Sequence, residues 1–179
     1  LIALAIRTVA FEPFSVPSES MLPTLEIGDY FFVSKYSYGY SRHSLPFSPP
    51  LFPGRIFEDM PERGDIAVFK LPLDNKTDYV KRVIGLPGDR IQMVDGILHI
   101  NGAPVLRERV PSEDFADREG NSILYHETMP NGASYLTLDR SRTFQDNTDV
   151  YVVRPGHYFM MGDNRDNSID SRFERDVGQ

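Results

Sequence analysis

A chain of 179 residues, 40 % hydrophobic and 25 % charged, is long enough to bury a core and lies in the globular range, which excludes general disorder and a multi-span membrane protein. It has no cysteine, so disulfides, thiolate nucleophiles and Cys-ligated zinc or iron–sulfur sites are excluded. With 19 basic against 26 acidic residues the net charge is −7, which argues against nucleic acid as a partner, because phosphate contacts need a concentrated basic surface.

In chain order, residues 1–6 run apolar up to Arg7. A spanning helix takes about 20 apolar residues, so this stretch is expected to be the exit end of an upstream membrane anchor; the alternative is a buried first strand. Beyond it, 13 Gly and 14 Pro fall between short β-branched and aromatic runs, and no long apolar period of 3.6 residues occurs. The fold class is therefore mostly β. Strands are expected over 29–33, 65–71, 79–84, 90–94, 97–100, 135–138, 150–153 and 158–162. Asp95-Gly96 and Asn101-Gly102 flank residues 97–100, and each pair suits a two-residue turn with positive φ, so this stretch reads as a β-ribbon with two tight turns.

Residues 45–53 read LPFSPPLFP. Proline forbids a helix or a central strand there, so its apolar side chains either fold back on the core or are offered to a partner or a lipid surface. Net charge is −1 over residues 1–90, −4 over 91–154 and −2 over 155–179. The acidic middle stretch includes the polar run 111–122 and has the character of a solvated insertion.

Four scattered histidines, His43, His99, His126 and His157, show no paired spacing that would seat a metal. A calcium loop starting at Asp166 fails, with Ser171 where Gly is needed and Val177 where a bidentate Glu belongs. No Gly-x-Ser-x-Gly elbow, P-loop or dinucleotide fingerprint is present. No metal and no cofactor are expected.

Two serine-centred segments stand out, PSESMLPTL at 17–25 and GDNRDNSIDSR at 162–172. Between them, residues 78–85 read DYVKRVIG, and strand alternation puts Lys81 on the face of Tyr79 and Val83, where apolar neighbours can strip it of water. Burial penalises the charged amine and frees its proton. An ordinary lysine is only about 0.4 % neutral at pH 8, and lowering its pKa to about 8 takes roughly 3 kcal/mol. Taken singly, a serine between prolines is usually a turn and a strand lysine usually a solvated side chain; the three motifs together weaken that bland account.

Four segments in order, EPFSVPSESMLPTLEIGDYFFVSKYSYG (12–39), RGDIAVFK (63–70), DYVKRVIGLPGD (78–89) and GDNRDNSIDSR (162–172), resemble the type I signal peptidases, which release secretory proteins from their signal sequences. Residues 91–154 match only loosely. The resemblance implies an antiparallel β-sheet catalytic domain made of 1–90 and 155–179, interrupted by a smaller β-rich insertion domain at 91–154. It implies Ser20 as nucleophile and Lys81 as general base, acting through an acyl-enzyme, with Ser18 Oγ and the Ser20 N–H donating to the oxyanion. Ser168 would orient the Lys81 amine, Asp170 and Arg172 would hold that turn, and Arg82 would pair with Asp163.

Family specificity for small residues, Ala-X-Ala, falls on Phe14, Val16, Pro17, Met21, Leu25, Tyr79 and Val80, whose side chains would exclude bulky groups by clash. The partners so implied are preprotein signal peptides and a lipid bilayer, reached through the N-terminal anchor and through Phe47 and Phe52. The location implied is the inner membrane of a bacterium, with the catalytic domain on the periplasmic side. Two departures accompany the match. Glu19 fills the variable position of PSxSM and puts a charge beside the nucleophile, and the chain ends at Gln179 where the family continues through a further strand. Oligomeric state stays open, with a monomer favoured. The competing readings are another serine/lysine peptidase, such as a self-cleaving repressor or a maturation protease, and a catalytically silent module that binds signal sequences or envelope proteins.

Overall fold

Alternating apolar and polar residues closed by glycine turns give short strands, and these account for nearly all regular structure in the computed structural model, which describes residues 11–34, 40–41, 55–56, 60–111 and 122–173. The strands are β1 Phe11–Ser15, β2 Tyr30–Ser34, β3 Tyr40–Ser41, β4 Arg55–Ile56, β5 Ile66–Lys70, β6 Asp78–Gly85, β7 Arg90–Val94, β8 Ile97–Ile100, β9 Ala103–Pro104, β10 Leu106–Arg109, β11 Ile123–Thr128, β12 Ser134–Asp139, β13 Tyr151–Val152 and β14 Phe159–Met161. Every described strand pairing is antiparallel. Among the described residues no helix is long and apolar enough to cross a membrane. Residues 1–6, the loop 45–53 with Phe47 and Phe52, most of the polar run 111–122 and the last six residues lie outside the described ones.

The chain forms two compact units, Leu1–Pro17 with Ile27–Pro61, and Ser18–Glu26 with Glu62–Gln179. The first contains the β1-β2 ribbon, in which Phe14 faces Phe31 with ring centroids 6.3 Å apart. Tyr30 and Phe32 are exposed on that ribbon.

The second unit contains three sheets, ordered β14-β6-β5, β13-β7-β8-β9 and β10-β11-β12. Both foreseen tight turns occur: Asp95 and Gly96 have φ of 46° and 76°, Asn101 and Gly102 of 55° and 83°, and each pair closes a two-residue hairpin. Alternation then sends Ile91, Met93, Leu98 and Ile100 into one apolar cluster with Ile84, Val105, Met129, Tyr135, Val153, Phe159 and Met161. Strand β14 pairs with β6, so residues on either side of 91–154 meet directly. The register slips between Phe159 and Met160, and Gly85 lets β6 come close to its neighbours, since a side chain there would press on Ile91 and Phe159. This sheet sets β6, and with it Lys81, beside the start of the polar turn at Gly162.

Strands β1, β9, β10 and β11 were not foreseen, nor was the two-residue pair β3-β4. Strands β7 and β8 begin and end at the foreseen residues, and the remaining foreseen strands differ by one residue at each end.

Candidate active site

Strand alternation on β6 separates two adjacent cations. Lys81 lies over the Tyr79 ring, its Nζ 5.2 Å from the centroid, and is 4 % exposed. Arg82 emerges on the other face, equally buried, and forks onto Asp163 through Nε to Oδ1 at 2.8 Å and Nη2 to Oδ2 at 2.7 Å. Its Nη1 donates to the Gly64 carbonyl at 2.6 Å, and its guanidinium covers the Tyr135 ring at 4.2 Å. This pair is sealed from water, unlike the exposed ion pairs that contribute under about 1 kcal/mol.

Ser20 is in the middle of a 3-10 turn, Glu19–Met21, preceded by extended Ser18 and anchored by Met21, which is 1 % exposed. Lys81 Nζ donates to Ser20 Oγ at 2.6 Å and to its own neighbour's carbonyl, Val80 O, at 3.1 Å. Ser18 Oγ stands 3.3 Å from Ser20 Oγ. Burial pushes the Lys81 ammonium down to about 8; Asp170 and Asp163 pull it back up and Arg172 pushes it further down. The result is a hydroxyl touching an amine that is about half neutral near pH 8, the pairing a serine nucleophile needs for activation.

The segment 162–172 folds around its own carboxylates. Asp170 Oδ2 accepts the Gly162 N–H at 3.0 Å, and Arg172 binds both Asp170 oxygens at 2.8 Å while its Nη2 also reaches the Arg165 carbonyl at 2.7 Å. Burial alone would raise the Asp170 carboxyl; the Arg172 charge and hydrogen bonds, with the Gly162 N–H, hold it below the usual range. Asp163 and Arg165 bond through their backbones to Leu138 of β12 at 2.9 and 2.8 Å.

Ser168 departs from expectation. Its hydroxyl is buried, 5 % exposed, but among the described residues no partner lies within hydrogen-bond geometry, and the second bond of Lys81 goes to Val80 O instead. It is near enough to Asp170 to help lower that carboxyl, and Gly162 packs against it so closely that a methyl group there would overlap both the Ser168 hydroxyl and the Ser20 carbonyl.

Of the residues proposed to line the substrate groove, Met21, Leu25, Tyr79 and Val80 belong to this unit. Leu25 N–H bonds Met21 O at 2.9 Å, and Tyr79 and Val80 adjoin Lys81 along β6. Phe14, Val16 and Pro17 belong to the first unit, where Val16 is buried and bonds the backbones of Asp29 and Gly28.

Three contributions went unforeseen. Thr24 donates to Asp163 Oδ2 at 2.5 Å, adding a hydroxyl to the Arg82 pair. Asn164, fully buried, donates from N–H to Ser20 O and from Nδ2 to Glu19 O, both at 3.1 Å. Glu127, fully buried on β11, accepts Arg165 Nη2 at 2.5 Å and the Tyr135 hydroxyl at 3.0 Å. Burial and Glu127 push the Tyr135 hydroxyl far above its ordinary pKa; burial lowers Arg165, but Glu127, Tyr135 and Asp163 together outweigh it and raise the group. Among the described residues no group of His, Asp and Glu side chains is arranged to hold a metal ion.

The family described as signal peptidase, peptidase S26, matches residues 1–178. Signal peptidase I of Rickettsia canadensis (strain McKiel) is 48 % identical over 181 aligned positions, covering 96 % of this chain and 68 % of that protein. Signal peptidase I of Rickettsia felis is likewise 48 % identical, over 96 % of this chain and 67 % of the relative. The crystal structure of a signal peptidase I from Enterococcus faecalis V583 is 28 % identical, with a TM-score of 0.38 over 67 % of this chain and 95 % of that one.

Proposed function

Since the chain belongs to the signal peptidase family, peptidase S26, a family of serine endopeptidases that process signal peptides, we propose that Ser20 is its nucleophile and Lys81 its general base. The observation that carries this is the 2.6 Å contact between Lys81 Nζ and Ser20 Oγ around an amine lowered to about 8. Neutral Lys81 takes the Ser20 proton as Oγ attacks the scissile carbonyl, and the oxyanion is met by the Ser20 N–H and the Ser18 hydroxyl. The resulting ammonium gives its proton to the departing amine, leaving an acyl-enzyme. Water, deprotonated by the same amine, then attacks that ester and releases the acid together with Ser20 Oγ–H. Losing one oxyanion donor typically costs about 100-fold to 1000-fold, which is the loss expected for Ser18→Ala.

Arg82, Asp163, Asp170 and Arg172 keep the base and its polar turn in place, and Ser168 serves as the adjacent hydroxyl that engages the amine as substrate enters. The substrates are preproteins cut after Ala-X-Ala, selected by apolar walls to which Met21, Leu25, Tyr79 and Val80 of this unit contribute. Residues 91–154 are an insertion within a catalytic domain made of 1–90 and 155–179; the direct β14-β6 pairing across that span supports this. The enzyme works at the periplasmic side of a bacterial inner membrane, with Phe47 and Phe52 as its lipid contacts. Vesicle binding that survives Phe47→Ser with Phe52→Ser removes that last contact.

Cleavage of an Ala-X-Ala signal peptide in detergent, with the cut located by mass spectrometry, tests the dyad. The unmutated protein should cut after the second Ala, and Ser20→Ala and Lys81→Ala should not. Tight binding of the peptide without cleavage by any form would instead establish a silent binding module.

A further inference from the structure

Glu19 fills the variable position of the PSxSM motif and, from sequence, threatens to load a negative charge onto the nucleophile. The structure turns that carboxylate elsewhere. Glu19 Oε2 accepts Asn167 Nδ2 at 3.0 Å and has Arg140 Nη2 at 3.9 Å. Arg140 is itself fixed, its N–H bonded to Asp166 Oδ2 at 2.7 Å and its Nε to Ser122 Oγ at 3.2 Å. The charges that chiefly shift the Lys81 amine are those of Asp170, Asp163 and Arg172.

These contacts continue a seam. Asn164 holds the Ser20 and Glu19 carbonyls, so three hydrogen bonds join the Glu19–Met21 turn to the turn containing Asn164, Asn167 and Ser168. The nucleophile's turn is only three residues long, and Ser18, the residue before it, makes no side-chain cap. Such a turn has little internal hydrogen bonding of its own, and its orientation depends on what it is tied to. We propose that Glu19 is a positioning residue for the known reaction. Its carboxylate, gripped by Asn167 and flanked by Arg140, fastens the turn that presents Ser20 to the turn that supports the base, and so keeps Oγ in attack geometry. The proposal rests on Ser20 acting as nucleophile. Because the Asn167 bond is exposed, its effect is moderate; the leverage comes from how steeply rate falls with misplacement of reacting atoms.

The test compares the unmutated full chain with Glu19→Ala, Glu19→Gln, Asn167→Ala and the Glu19→Ala/Asn167→Ala double variant. Each is assayed for kcat, KM and pH profile on an Ala-X-Ala peptide, with a melting temperature as folding control and Ser20→Ala as blank. Glu19→Ala is expected to lower kcat about 5-fold with KM within about 2-fold. Glu19→Gln, which can still accept from Asn167, should restore most of that rate. Asn167→Ala should match Glu19→Ala, the double variant should be no slower than either single one, and the acid limb should stay near pH 8 throughout. Unchanged kcat in Glu19→Ala overturns the proposal, as do fully additive losses in the double variant. A displaced acid limb overturns it too, by showing a charge effect on Lys81. If the unmutated protein cuts no peptide, the nucleophile assignment itself fails and this role falls with it.

Discussion

The buried side chains of the polar turn 162–172 and the apolar cluster around β7 and β8 are held by opposite means. The cluster consists of side chains such as Leu98, 0 % exposed, and Ile91, 1 % exposed, whose attraction is non-directional and spread over many weak contacts. The turn buries Asp163, Asn164, Arg165, Ser168, Asp170 and Arg172, and each charge among them meets an opposite charge through a directional hydrogen bond. Where a reacting amine must meet a hydroxyl within a few tenths of an ångström, directional bonds supply the accuracy and apolar packing supplies the stability. The polar region should therefore be brittle and the apolar one forgiving.

The contrast is testable in descending order of effect. Glu127→Ala leaves Arg165 as an uncompensated buried cation and should cost about 3–5 kcal/mol. An unfolding midpoint within about 1 kcal/mol of the unmutated protein would show that this network carries little. Leu98→Ala should cost about 2–4 kcal/mol through loss of burial and the cavity left behind, yet the protein that remains folded should keep kcat within about twofold. A tenfold fall in kcat would erase the distinction between the two regions. Arg82→Lys replaces a two-pronged grip on Asp163 with a single point charge and should cost about 1.5–3 kcal/mol by denaturant titration, with kcat falling and KM little changed.

The last expectation concerns pH and the base. In the proposed dyad the base is neutral Lys81, so kcat/KM should rise with pH through about 8. The folded value lies below the ordinary 10.5, so between about pH 8 and 10.5 the unfolded chain holds more protons. This group's contribution to stability therefore grows across that window and is absent below it. Lys81→Met should abolish cleavage and flatten the dependence of stability on pH, and a limb that persists in stability measurements would assign the titration to another group.

Much of the fold was legible because local chemistry dictates it. The ribbon β7-β8 is bounded by Asp-Gly and Asn-Gly pairs that few other conformations suit, and both its strands fall at the foreseen residues. Strand β1 was hidden by Pro13, which an edge ribbon tolerates and a central strand would not. Strand β10 reads LRER, three charges in four residues, and is a strand because Leu106–Arg109 pairs with β11 rather than because of its own pattern. In the site, Ser20 and Lys81 stood out through motif context. Thr24 and Glu127 did not, because their partners lie 139 and 38 residues away and no spacing rule connects them. The one available signal for Glu127 was an acid among alternating apolar positions in ILYHET, which only tertiary structure could distinguish from a solvated residue.

Lys81 and Arg82 sit side by side on β6 and face opposite ways, one toward Tyr79 and Ser20, the other toward Asp163. Their order is a chemical instruction. A slip of β6 by one residue would exchange the two faces and offer a guanidinium to the serine, a group that stays protonated at every pH a protein survives. The misthreaded molecule could keep its net charge and still be inert as a peptidase, so for this strand a pairing error during folding is also a loss of the proton acceptor.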